Sequence, residues 1–236
     1  MDLVILVIAS RGKIYDSLVE NYWKYFIDYV NNKHKNIKIY LLYGNCDINN
    51  ISVNKNNILH FKDIKETLIP GILLKTIKGF QYIDNKYNYK FVLRTNLSSF
   101  FIINNLVKLC NSFNKKLLYS GVIGNFKNKS KFCSGAAFFL SKDVIKYIIL
   151  NKHKLRYNII DDVSIGMLLS TNKSIKFKSL PRFNITDNKS IKNNQKQILL
   201  QNIIKNNNYH IRIKNTKNRM IDIDYIKYFT NQLYKK

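Results

Sequence analysis

Val4 to Ala9 is an unbroken apolar run of strand length, and in the segment that follows, 16 to 30, Leu18, Tyr22, Phe26 and Tyr29 recur at helical spacing. The chain therefore predicts a strand, a turn and a helix at its start. Ile37 to Tyr43 and Ile58 to Phe61 read as two further strands. Between 66 and 84 the positions Leu73, Ile77 and Phe80 return to the helix period, with Pro70 and Gly71 near the first turn. Phe91 to Leu93, Leu117 to Tyr119 and Ala136 to Leu140 predict buried strands, and Ser141 reads as the N-cap of a helix over 143–150 with Asp143 in its first turn. Alternating strands and helices predict an α/β sandwich, a mostly parallel central sheet flanked by helices. In such sheets ligands sit beyond the carboxyl ends of the strands. Ser10-Arg11 and the stretch Arg94 to Ser99 lie at two such ends.

Composition narrows this picture. The 236 residues suit one domain with a single core, and the polar tracts NNKHKN, INNISVNKNN and IKNNQK read as surface loops. The formal charge is +26, from 40 Lys and Arg against 14 Asp and Glu. The lysines are spread along the chain together with abundant Asn and Ile, which indicates compositional drift, whereas a nucleic-acid site needs a localised basic patch. A specific nucleic-acid partner is accordingly not expected, although the charge favours polyanionic ligands at long range. Cys46, Cys110 and Cys133 are odd in number, widely spaced and without metal-type pairing, as expected of reduced thiols in a reducing compartment. The opening apolar run is too short for a secretory or membrane-spanning segment, so a soluble cytoplasmic protein is expected.

Three segments, in order, resemble the β-1,3-galactosyltransferase and Fringe-type glycosyltransferases. FKDIKETLIPGILLKTIKGFQYI places Asp63, Leu74, Lys75, Thr76 and Gly79 where that family has Asp, Leu-Lys-Thr and Gly. FCSGAAFFLSKDVIKYI is similar to its Tyr-Cys-Ser-Gly strand followed by Leu-Ser, and IIDDVSIGMLL to its Glu-Asp-Val segment with a Gly three residues on. The resemblance spans roughly residues 60 to 170 and implies a GT-A sandwich, with residues 1–110 mainly serving the donor and 111–236 the acceptor and a closing C-terminal segment. It implies a hexosyltransferase that moves a sugar, with inversion, from a nucleotide-diphosphate donor, a UDP-sugar, to a glycan or other hydroxyl acceptor. Such a displacement needs a base for the acceptor proton and positive charge for the departing diphosphate. The resemblance nominates Asp162 as the base, with Asp161 orienting the acceptor or raising the proton affinity of Asp162. Both residues also read as an acidic helix start stabilised by the dipole. Ser134 and Gly135 fall on the acceptor side, and Ser10, Arg11, Lys75, Arg94 and Thr95 on the donor side.

One stretch departs from the pattern. After its central strand the resembled family carries aspartates that hold a divalent metal, Mn2+ or Mg2+, on the diphosphate. Here the chain reads Arg94-Thr95-Asn96-Leu97-Ser98-Ser99-Phe100, whose neutral oxygens are weak ligands for such an ion. Either catalysis has been lost, leaving a glycan- or nucleotide-binding protein, or cations do the work of the metal. For the second, YHIRIKNTKNR puts His210, Arg212 and Lys214 on one face if it is a strand, with Arg219 close by. His210 resembles the C-terminal histidine that completes many GT-A metal sites. Asn96 and Ser98 would then bind ribose or sugar hydroxyls, or else satisfy a strand-end turn.

Overall fold

The computed structural model describes residues 1–126, 130–186 and 190–235. Its seven-stranded sheet contains β1 (Leu3–Ile8), β2 (Ile37–Tyr43), β3 (Ile58–His60), β4 (Phe91–Asn96), β6 (Leu118–Phe126), β7 (Ser130–Ser141) and β8 (Lys176–Ser179), in the order β3-β2-β1-β4-β7-β6-β8. β1 runs parallel to β2 and β4, β2 to β3, and β6 to β8; β7 alone is antiparallel to its neighbours β4 and β6. The mostly parallel sheet expected from the sequence is therefore present.

Side chains alternate across a strand, so a sheet covered on both faces needs apolar residues at every position. β1 shows this directly. Leu3, Ile5 and Val7 enter one core with α2 (Lys24–Lys33), α4 (Ile103–Asn111) and α8 (Met220–Leu233), whereas Val4, Leu6 and Ile8 enter the other with α3 (Gly71–Lys86), α5 (Lys142–Leu150) and α6 (Asp161–Ser170). The register pairs Ile8 with Asn96, which brings the carboxyl ends of β1 and β4 side by side.

A second sheet of three strands closes this end. β4 passes through Leu97 and Ser98 into β5 (Ser99–Phe101), which pairs antiparallel with β10 (His210–Ile213); β10 also runs parallel to β9 (Phe183–Ile185). The expected helix after β1 is interrupted: α1 (Lys13–Leu18) leads into a π-helical turn, Val19–Trp23, before α2. The extra residue in that turn lets Tyr22 and Trp23 both face inward. Trp23 Nε1 donates to the Leu97 carbonyl at 3.1 Å, and Phe101 N–H donates to the Tyr22 hydroxyl at 2.9 Å. Both ends of the β4–β5 turn are thus held by one helical defect.

The tract IKNNQK is not a loop as expected. It opens α7 (Asn193–Lys205), and Lys196 is buried against Asp224 of α8 at 2.6 Å, because a lysine with a carboxylate partner can lay its apolar stem under a helix pair.

Gly166 of α6 shows why glycine stands three residues after Asp-Asp-Val. A Cβ there would lie 2.7 Å from the Lys131 carbonyl oxygen and the Phe132 Cα, both main chain of β7. Alanine would gain about 1 kcal/mol of helix propensity but cost about 1–3 kcal/mol in overpacking that backbone cannot relieve. Gly166→Ala should lower the melting temperature despite its better helix propensity; an unchanged or raised value in a thermal melt would show that α6 has room to move.

Candidate active site

The carboxyl ends of β1 and β4 open into a cavity of about 210 Å3 lined by Ser10, Asn96, Leu97 and Ser98 on one side and by Arg212, Lys214 and Arg219 on the other. Beside it a second cavity of about 420 Å3 is bounded by Arg182, Asn184, Thr186 and Thr216, and shares Arg212 and Lys214. A larger hollow of about 500 Å3 lies across β2, over Lys38, Tyr40, Tyr82, Lys86 and Tyr87. None of its lining comes from the ends of β1 or β4, so it stands apart from the position at which parallel sheets present ligands.

The turn Asn96-Leu97-Ser98 is internally satisfied. The Asn96 side chain accepts from Ser98 N–H at 3.1 Å and donates to the Gly135 carbonyl at 3.2 Å, while Ser98 Oγ accepts from Arg219 Nη2 at 3.0 Å. Arg219 in turn is oriented by Asp222, a buried carboxylate that also takes both the backbone and side-chain N–H groups of Asn215. Arg212 and Lys214 make no ion pair among the described residues. Burial, and then the like charges of Arg212 and Arg219, lower the pKa of Lys214. Among the described residues four cations, Arg182, Arg212, Lys214 and Arg219, thus stand together with one carboxylate, Asp222, already in use.

Two residues before Asn96 on β4, Arg94 spans three elements. Its guanidinium donates to Asp161 and to the Gly135 carbonyl, and it lies 5.5 Å above the Phe138 ring. Asp162, next along α6, accepts Gly135 N–H at 2.7 Å on one oxygen and Val163 N–H at 2.9 Å on the other. Burial raises the pKa of Asp161, with Arg94 opposing the rise.

Of the sequence-derived candidates, Ser10, Asn96, Ser98, Arg212 and Lys214 line the first cavity. Others are built into the packing. Lys75 is fully buried, donating to Glu66 at 2.7 Å and the Ala9 carbonyl at 2.8 Å, so it anchors the end of β1 and has no exposed nitrogen for a donor. Arg94 and Thr95 are likewise buried, Thr95 bonding the Ala136 carbonyl at 2.6 Å. Arg11 is turned away from the cavity by Asp16 at 2.8 Å and by the Asp47 carbonyl. Asp161 is consumed by Arg94. Both backbone groups of Gly135 are used internally, and a Cβ there would meet Arg94 Nη1 at 2.9 Å; the glycine makes space for the arginine, not for a sugar. Ser134 accepts from Arg182 at 3.1 Å, which places it beside the second cavity.

His210 lies two residues from Arg212 on the same strand, on the same side, but deeper. It is 1% exposed, stacked on Phe101 with ring centroids 5.0 Å apart, and bonded through Nε2 to Ser99 at 3.0 Å. A divalent metal fits the site badly: the cavity offers neutral amide and hydroxyl oxygens and three cations, and no grouping of three His, Cys, Asp or Glu among the described residues can hold an ion. Glu66, which holds both Ser10 at 3.0 Å and Lys75, and Arg182 were not singled out from the sequence. No periodic pattern or motif marks either of them.

No family model and no curated protein matches the sequence. Solved structures do match. The apo form of the glycosyltransferase GlyE of Streptococcus pneumoniae TIGR4 superposes with a TM-score of 0.51 at 12% identity, over 99% of this chain and 64% of that one, so the chain spans somewhat less than two thirds of GlyE. The galactosyltransferase LgtC, solved with donor and acceptor sugar analogs, gives a TM-score of 0.51 at 11% identity over 99% of this chain and 96% of that one. The fold is the GT-A glycosyltransferase sandwich. No helix among the described residues is long and apolar enough to cross a membrane.

The buried histidine carries a pH dependence. Burial, and then the charges of Arg182 and Arg212, depress the His210 pKa well below its ordinary value of 6.5. Between that depressed pKa and about 6.5 the unfolded chain binds the proton and the folded one does not, so stability must fall as pH is lowered through this window, by up to about 1.4 kcal/mol per pH unit. His34, also depressed by burial, adds in the same direction. Urea titrations between pH 7 and 5 should show this slope reduced in His210→Phe; an equal slope in both proteins would mean that His210 is protonated in the folded state.

Proposed function

We propose that the protein is a glycosyltransferase that transfers a sugar from a nucleotide-diphosphate donor, a UDP-sugar, to an acceptor hydroxyl, with arginine and lysine side chains in place of a metal ion. The observation that carries this reading is the cavity at the joined ends of β1 and β4 of a GT-A fold, where Arg212, Lys214 and Arg219 face Asn96 and Ser98. A diphosphate bound there meets fixed cations in a partly dry site. Guanidinium groups suit phosphate oxygens because they offer parallel N–H donors. Fixed donors aimed at developing charge supply several kcal/mol, about 3–4 for one oxyanion contact.

In this scheme Asp162 accepts the acceptor hydroxyl proton, and the acceptor oxygen bonds to the anomeric carbon as the bond from that carbon to the diphosphate oxygen breaks. The departing nucleoside diphosphate keeps the electron pair, and Arg212, Lys214 and Arg219 hold its charge. The two backbone N–H groups on Asp162 fix the carboxylate in one orientation, leaving a further lone pair on each oxygen for the substrate. Asn96, through the Gly135 carbonyl, ties the cavity wall to the strand that holds Asp162. The engagement of both Asp162 oxygens by backbone donors also favours a second reading, a protein that binds the nucleotide sugar without turning it over. Donor hydrolysis separates the two.

Transfer or hydrolysis of UDP-sugars should survive EDTA. Asp162→Asn should lower kcat by about 10²–10⁴-fold with UDP affinity close to wild type; more than a tenth of the activity remaining, or a product that retains the donor's anomeric configuration by NMR, would remove Asp162 from the role of base. Arg212→Ala should weaken UDP binding by about 2 kcal/mol and UMP binding much less, because the second phosphate brings the charge that Arg212 meets. Activity that vanishes in EDTA and returns with Mn2+ would overturn the metal-free site.

A further inference from the structure

The second cavity poses an electrostatic question that the donor does not answer. Arg182 and Arg212 are both partly buried there, and Lys214 joins them at the edge. The rest of the lining among the described residues, Asn184, Thr186 and Thr216, is neutral. Arg182 is held by neutral oxygens only: Nε donates to Asn184 at 2.8 Å and Nη1 to Ser134 at 3.1 Å. Neither arginine has a carboxylate partner among the described residues. Burial, and then the charge of Arg212, act against the protonated state of Arg182. Placing like charges together while desolvating them is unfavourable unless something anionic arrives.

The position of Arg182 also matters. Ser134, its partner, is followed directly by Gly135, whose N–H holds Asp162. The cavity therefore lies on the same segment of β7 as the carboxylate assigned to the acceptor proton. Register supports this, because β10 places Arg212 opposite Asn184 of β9 on one side and Ser99 of β5 on the other, so Arg212 stands on the boundary between the two cavities.

We propose that the acceptor is an anionic sugar, bearing a phosphate or a carboxylate, whose charge is bound by Arg182 and Arg212 in the cavity beside the donor. This rests on the transferase reading, with the donor diphosphate occupying the first cavity. Asn184, Thr186 and Thr216 supply the neutral donors and acceptors that hydroxyls of such a sugar require, and Arg212 meets charge from both substrates, so that filling one cavity organises the other.

The test uses the full chain at physiological salt, saturated with UDP, titrated calorimetrically with glucose 6-phosphate, glucuronate and glucose. The two anionic sugars should bind about tenfold or more tightly than glucose, a preference expected for charge-assisted contacts, and they separate phosphate from carboxylate recognition. Arg182→Ala should remove most of that preference while UDP affinity changes by less than about twofold, and Arg182→Lys should restore only part of it, because a lysine cannot bridge two oxygens. Removal of the exposed Lys205 by Lys205→Ala should leave the preference intact. Equal binding of the three sugars would overturn the proposal while leaving the donor reading in place. A parallel loss of UDP binding in Arg182→Ala would also overturn it, since the cations would then form a single diphosphate site. An equal effect of Lys205→Ala would reduce the preference to net charge and overturn it as well. Wild-type protein that does not bind UDP at all would sink the transferase reading itself, and this proposal with it.

Discussion

The site depends on one buried ion pair. Arg94 leaves the middle of the central sheet and reaches Asp161 at the start of α6 and the Gly135 carbonyl on β7, and neither ionised side chain is exposed by more than a tenth. Removing two charges from water costs several kcal/mol per ion, so such a pair adds little net stability; deleting one partner is what costs about 3–5 kcal/mol. Its consequence is positional. Arg94 ties the N-terminus of α6 to β7, and there Asp162 accepts the Gly135 N–H. The Arg94 Nε atom is buried and has no hydrogen-bond partner among the described residues, so the geometry follows the two acceptors and does not satisfy every donor.

A second constraint acts from the opposite core. Trp23 and Tyr22 hold the β4–β5 turn from the π-helical segment, and Tyr22 stacks on Phe100 with centroids 4.4 Å apart. The turn therefore cannot swing outward, and Ser98 keeps its place for Arg219. The ion pair fixes one wall of the site and the aromatic cluster the other. Between them the small sheet presents Arg212, so that charge repulsion among the cations is resisted by packing on both sides.

The doubly covered half of the sheet was legible because burial on both faces leaves uninterrupted apolar runs; Ile37 to Tyr43 matched its strand end for end. Asn96 and Ser98 were legible as a departure, and the turn that they satisfy belongs to the open alternatives of the sequence. The interruption of the first helix was not, because a π turn preserves the overall apolar spacing while adding one residue. Thus the helical spacing picks out Leu18, Tyr22, Phe26 and Tyr29, of which Tyr29 is only half-buried, and passes over Trp23, which is fully buried. His210, Arg212 and Lys214 were expected on one face, but β10 ends at Ile213, and His210 is covered by Phe101 where the strand lies between two others. Period-2 alternation tells which residues share a side, not how deep each lies. Lys75 failed for a similar reason: a lysine on a helix gives no sequence sign that Glu66 waits to bury it.

The arginines carry the remaining information. Only six of the 40 cationic residues are arginine, so at each of the six a lysine would be the commoner choice, and what it would lose there is informative. Four of them use two different guanidinium nitrogens on two different partners: Arg11 on Asp16 and Asp47, Arg94 on Gly135 and Asp161, Arg182 on Asn184 and Ser134, and Arg219 on Asp222 and Ser98. A single ammonium group on a flexible stem does not bridge partners in fixed directions in this way. Arg156 is exposed. Arg212 is the exception that bears on function, for it is partly buried, has neutral strand neighbours on both sides, and among the described residues has no partner that requires a planar fork. Among the described residues nothing fills that fork, and an oxyanion with two oxygens in one plane, such as a phosphate or a carboxylate, has a shape that suits it.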